Sequence, residues 1–113
     1  MSIGQCGPIH AYIGVSGQDV TQNTSFSCTI DVPVITLQSC LNYRIFLWIW
    51  SGDQYCRADS GENSNFSYVY AVDFPAHGRS YRIHAKAQIV PPALVRCDSS
   101  CTSEVWTNGI YYR

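Results

Sequence analysis

Apolar and polar residues alternate with a period of two along most of the chain, and no apolar residues recur at helical spacing over more than a few positions. The clearest stretch is 80–90, where Tyr81, Ile83, Ala85, Ala87 and Ile89 fall on one face and Arg82, His84, Lys86 and Gln88 on the other. Successive side chains of a strand point to opposite sides, so a half-buried antiparallel strand with the first set inward explains the pattern. Pro91-Pro92 ends it, because neither residue can donate to a ladder. Further runs at 10–15, 25–32, 43–50, 54–58, 66–74 and 103–113, separated by Gly, Pro, Asn and Asp, predict an all-β domain of about seven short strands.

Two dipeptides predict hairpins. Asn108-Gly109 suits a two-residue type I′ turn, whose central positions both need positive φ. Centred there, Trp106 pairs with Tyr111, Val105 with Tyr112 and Glu104 with Arg113. Gly52-Asp53 predicts a second turn, with Trp50 facing Tyr55 and Ile49 facing Cys56. In that register Cys40 lies at the far end of its strand from Cys56, beyond the ~5.5–6 Å Cα spacing of a disulfide. A Cys40–Cys56 bridge is therefore expected to be absent.

Composition narrows the class. At 113 residues the chain has room for a single domain, residues 1–113, around one core. Its 13% aromatic content argues against disorder, and its net charge of -1 against a nucleic-acid binder. The longest apolar run, 45–50, falls far short of the roughly 20 residues of a transmembrane helix, so the chain is not expected to span a membrane. Six cysteines (Cys6, Cys28, Cys40, Cys56, Cys97, Cys101) form an even, dense set with no C-x-x-C pair, and the histidines lie away from finger spacing. That pattern predicts a disulfide framework and no metal site, hence an oxidising, secreted setting. Cys97 and Cys101 either close a small loop across Asp98-Ser99-Ser100 or each staple a different neighbour. Residues 1–15 lack the basic and apolar regions of a signal peptide, so a mature form with an added Met1 is expected.

The segment Phe74-Pro75-Ala76-His77-Gly78-Arg79-Ser80-Tyr81-Arg82-Ile83-His84-Ala85 resembles the E–F corner of immunoglobulin-like and fibronectin type III-like sandwiches. In those folds a tyrosine near the start of a strand returns its hydroxyl to the backbone upstream. Tyr81 takes that position, and the resemblance implies a disulfide-stapled antiparallel β-sandwich, with Trp48 or Trp50 as the core tryptophan. Two residues after the tyrosine an antibody-type domain carries cysteine, whereas this chain has Ile83. Cys28 then lacks the usual partner, and the domain is not of the antibody type.

Segment 43–50 is apolar on both faces, with Ile45, Leu47 and Ile49 on one and Phe46, Trp48 and Trp50 on the other. Either the N-terminal segment or a loop at 58–65 lies over one row, or that row is a partner surface. In the sandwich arrangement Phe46, Trp48 and Trp50 lie beside Arg82, His84 and Lys86, a face of aromatics edged by cations that suits a protein partner. The expected function is a secreted, non-catalytic protein–protein interaction module, an adaptor or subunit of an extracellular or cell-surface complex. The alternatives are a carbohydrate-binding (lectin-like) module using the same rings, or a small secreted effector, toxin or inhibitor. The sequence shows no nucleophile elbow, phosphate loop or facing carboxylate pair, so neither an enzyme nor a cofactor is expected. Clustering of His77 or His84 with carboxylates in a cleft would argue the other way.

Overall fold

A computed structural model describes residues 6–97 and 101–113; the Asp98-Ser99-Ser100 segment named above lies outside them. The described residues form seven antiparallel strands and no helix: β1 (His10–Val15), β2 (Val20–Phe46), β3 (Ile49–Trp50), β4 (Gln54–Asp73), β5 (Arg79–Val90), β6 (Thr102–Trp106) and β7 (Ile110–Tyr112). They make one sheet in the order β1-β2-β5-β6, with β3 and β4 also pairing β2, and β7 pairing β5. None of them supplies a helix long and apolar enough to cross a membrane.

The organising element is a ribbon of β2 and β4. Residues 20–27 of β2 lie between β1 and the end of β4, and residues 34–41 lie between the start of β4 and β5. Between these limbs the β2–β4 register shifts, from Ser27↔Phe66 to Val32↔Ser64. An irregularity of this kind re-aims every later side chain. Gln22, Thr24, Phe26 and Cys28 are buried before the shift; Ile35, Leu37, Ser39 and Leu41 are buried after it. Pro33, which donates no N–H, follows the shift directly, between the paired residues Val32 and Val34. The limbs fold toward each other, and their inner faces meet through a buried polar chain. Thr24 Oγ1 and Ser39 Oγ are 3.0 Å apart, Ser39 donates to Gln22 Oε1, and Gln22 Nε2 donates to Asp73 and to the Tyr55 carbonyl. Around it pack Val20, Phe26, Ile35, Leu37, Leu41, Val69, Ile83, Ile89 and Tyr112. Burying each of the larger side chains stabilises the fold by roughly 1.5–3 kcal/mol.

Strand β5 follows the sequence pattern closely. Tyr81, Ile83, Ala85, Ala87 and Ile89 are all buried, and the strand stops at Val90, before Pro91-Pro92. The Tyr81 hydroxyl donates to the Ala76 carbonyl at 2.6 Å, the bond that the corner resemblance implies. The runs 54–58 and 66–74 are instead two ends of one strand, because residues 58–64 pair with β2 rather than forming a loop.

All six cysteines are bridged, as Cys6–Cys28, Cys40–Cys56 and Cys97–Cys101. The Cys40–Cys56 bond corrects the sequence expectation, and the cause is the position of the turn. The chain reverses at Leu47-Trp48, so that Phe46 pairs with Ile49 and Arg44 with Trp50. Gly52-Asp53 is an irregularity in the returning strand. The Tyr43 N–H donates to Ser51 Oγ, and β4 resumes with Leu41↔Gln54. Cys40 thus lies opposite the irregular Tyr55-Cys56 step, with Cα atoms 4.1 Å apart.

The Asn108-Gly109 hairpin is a second correction. β6 and β7 do not pair with each other; they lie one after the other along the same edge of β5, with His84↔Trp106 and Tyr81↔Ile110. Positive φ is found at neither Asn108 nor Gly109, so no type I′ turn forms. The long, otherwise open edge of β5 offers backbone partners to both segments, and this outcompetes the local turn preference.

Candidate functional site

Pairing of β2 with β5 and of β5 with β6 sets four side chains in adjacent positions. Asn42 lies across from Arg82, and His84 across from Trp106. Arg82 Nε donates to Asn42 Oδ1 at 3.1 Å, and its guanidinium carbon lies 4.4 Å from the Trp50 ring centroid and 5.9 Å from that of Trp106. His84 stacks on Trp106 with centroids 4.6 Å apart and planes 1° from parallel. The result is a ladder, Trp50–Arg82–Trp106–His84, in which each charged or polar plane rests on an indole. Contacts of Arg over Trp contribute about 0.5–1 kcal/mol at exposed sites and more when desolvated.

Two carboxylates pin the ladder's end. His84 Nδ1 lies 2.8 Å from Asp53 Oδ1, and Nε2 lies 2.5 Å from Glu104 Oε2. An ionised carboxylate only accepts, so whichever ring nitrogen carries a proton donates to the carboxylate it faces. Asp53 also accepts from Asn42 Nδ2 at 2.8 Å. Partial burial works to raise the Asp53 carboxyl, but hydrogen bonds from His84 and Asn42, with the nearby His84 and Lys86 charges, hold it below its ordinary value. Desolvation lowers the Arg82 guanidinium, with the Asp53 charge opposing. Both ring nitrogens of His84 thus face a carboxylate oxygen, which holds the ring in place against Trp106.

Beyond the ladder, the hairpin of β2 and β3 projects an apolar tip. Ile45, Phe46, Leu47, Trp48 and Ile49 are all exposed, Trp48 to 80% of its surface, and Leu47 has φ 47°. Neither segment 58–65 nor the described N-terminal residues cover them. Because the chain reverses at Leu47-Trp48, the two apolar rows read from sequence are not opposite faces of one strand.

Of the expected site residues, the structure brings together Trp50, Arg82 and His84. Lys86 follows two residues along the same outer face, opposite Glu104. It lines a polar groove of about 780 Å³ with Thr36, Gln38, Gln88, Ser103 and Glu104. Phe46 and Trp48 stand apart at the tip and make no ring contact with the ladder. Sequence reasoning missed Trp106, Asp53, Glu104 and Asn42. The wrong C-terminal hairpin had turned Trp106 toward Tyr111, and the wrong Gly52-Asp53 turn had spent Asp53 as a turn residue.

No known protein family, curated protein or solved structure compared with the chain matches it.

Proposed function

We propose that the protein is a secreted, non-catalytic recognition module that binds another extracellular protein through the β2–β3 tip and the Trp50–Arg82–Trp106–His84 ladder. One observation carries the reading: five consecutive apolar side chains, residues 45–49, are exposed at the apex of a hairpin whose base is braced by Arg82 on Trp50. Contiguous exposed apolar surface marks interaction sites, and Trp with Arg are typical anchors. Burying Phe46 and Trp48 would supply several kcal/mol at about 25 cal/mol per Å², before the costs of association. The scaffold is read as a disulfide-stapled β-sandwich, broadly immunoglobulin-like. The Thr24–Ser39 contact between limbs and the Tyr81–Ala76 corner bond support this. Three bridges support an extracellular setting.

The test is site-specific photo-crosslinking from position 48, with position 88 as control, in extracellular fluid of the source. The purified partner should then bind the wild type and bind Trp48→Ala at least tenfold more weakly, with the melting temperature unchanged. Equal binding by the variant, or partition of the wild type into phosphatidylserine vesicles without a protein partner, rejects the reading. The polar groove beside Lys86 favours the lectin-like alternative; specific retention on a glycan array that survives Trp48→Ala would establish it instead.

A further inference from the structure

The limb of the ribbon away from the ladder presents a second exposed apolar surface. On the outer face of β1, β2 and β4, register places Tyr12, Asn23 and Tyr70 in one row, and His10, Ser25 and Tyr68 in the next. Along β4 the same face continues through Phe66, Tyr70, Val72 and, just past its end, Phe74. Tyr12, Tyr70 and Phe74 are more than half exposed, and Phe66 stacks on Tyr68 with centroids 6.2 Å apart. None of the residues named in these rows is Asp, Glu, Lys or Arg, the nearest carboxylate being that of Asp59 at the β4 edge beside Tyr68, whereas the ladder face carries Arg82, Lys86, Asp53 and Glu104.

We infer that this tyrosine-rich face is where a second copy of the chain docks, face to face about a two-fold axis near Tyr70. A two-fold contact sets each residue near its own counterpart or a symmetry-related neighbour, so any central charge would meet its like. A face with no charge is therefore suited to self-association. Area agrees with this occupant. Five aromatics, Tyr12, Phe66, Tyr68, Tyr70 and Phe74, somewhat over half exposed on average at about 150–250 Å² each, together with Val72, give roughly 600 Å² per copy and about 1,200 Å² in the pair. That reaches the lower end of the range for specific interfaces, about 1,200–2,000 Å². The hydroxyls of Tyr12, Tyr68 and Tyr70 and the Asn23 amide supply hydrogen-bonding groups at the density such interfaces use, about one bond per 100–200 Å².

Edge-to-edge pairing of β4 is disfavoured over the same stretch. The Tyr68 N–H already donates to Asp59 Oδ2 at 3.2 Å, and the Phe66 N–H to Ser64 Oγ at 3.4 Å. These side chains cap the strand edge, so the docking route is the face.

Sedimentation equilibrium of the intact, oxidised protein from micromolar to several hundred micromolar tests the inference. A reversible doubling of mass is expected, weakened at least tenfold by Tyr70→Glu and by Phe74→Ser, and unchanged by Trp48→Ala. Hydrogen exchange on the wild type alone should show protection of 66–74 rising with concentration while the tip stays constant, which decides the matter if either variant folds poorly. A protein monomeric over the whole range, a dimer indifferent to both substitutions, or concentration-dependent protection confined to the tip would overturn the inference. The outcome is independent of the proposed partner site, which Trp48→Ala alone tests.

Discussion

The hydroxyl oxygens of Thr24 and Ser39 lie 3.0 Å apart, although both belong to one strand and 15 residues separate them. A straight strand of that length would hold them about 50 Å apart at ~3.3 Å per residue. The register shift between Ser27 and Val32 folds β2 over, and this contact is where the two limbs touch. Ser39 also donates to Gln22 Oε1 at 2.7 Å, so its hydroxyl links both limbs at a fully buried point.

Ser39→Ala removes that link and leaves the Gln22 carbonyl oxygen without its buried donor. A loss of about 1–3 kcal/mol in unfolding free energy is expected, the range for an unsatisfied buried polar group. Thr24→Ser keeps the hydroxyl and should cost less than Ser39→Ala. Urea denaturation of the two variants checks this; equal losses would mean that the hydroxyl pairing contributes little.

The three bridges should differ in effect according to the loop each closes. Cys40–Cys56 spans 16 residues and Cys97–Cys101 only 4. In the chain-entropy account these correspond to about 3 and about 2 kcal/mol. Replacing the first pair by alanine should therefore lower the denaturation midpoint more than replacing the second. Non-reducing peptide mapping of the wild type should recover all three pairs.

Side-chain alternation was legible wherever packing is one-sided. In β5 every inward residue from Tyr81 to Ile89 is buried as the period-two pattern predicts. Turns were legible only as local preferences, and here long-range pairing overrode them. Asn108-Gly109 has the best hairpin chemistry in the chain, yet β5 captures the strands on both sides of it. Leu47-Trp48, the actual turn, carries no turn signal, and its left-handed leucine is a conformation that sequence alone assigns to glycine or asparagine. The site followed the same division. Arg82 and His84 came from a strand face that was read correctly, whereas Trp50 reaches them from β3 across a reversal at Leu47-Trp48 that the pattern at 43–50 does not show, and Trp106 and Asp53 depended on the two misassigned turns.

Acid should weaken the ladder through Asp53. Its carboxyl is held below the ordinary 3.8 in the folded protein, so the unfolded chain binds its proton more readily. Stability from this group is complete above that ordinary value and is lost as pH falls through the lower folded value. The urea midpoint of Asp53→Asn should accordingly depend less steeply on pH below about 4 than that of the wild type. Parallel curves for the two proteins would count against the His84 and Asn42 contacts as the cause.

Alkali acts in the opposite sense at Tyr81. Burial raises its phenol above 10.0, so the unfolded chain gives up this proton first. The associated stability is complete below pH 10 and is lost as pH rises through the folded value. Tyr81→Phe should be less stable by about 1 kcal/mol at neutral pH, through loss of the bond to Ala76. It should also show a shallower alkaline decline, readable by thermal melts across the alkaline range.

Gly109 is required by a ring and not by its backbone. It does not have positive φ, but a Cβ there would lie 2.8 Å from Trp50 Cη2. The indole cannot yield freely, because Arg82 lies over it at 4.4 Å. Gly109→Ala should therefore push Trp50 off the guanidinium and destabilise the protein by about 1 kcal/mol, the scale of one cation–π contact at an exposed site. Trp50→Phe withdraws the outer ring that carries Cη2, so in that background the alanine should cost little. The double-mutant cycle isolates this coupling, since the two residues touch. Additive losses would show that Gly109 serves the connection between β6 and β7 for a reason other than making room for Trp50.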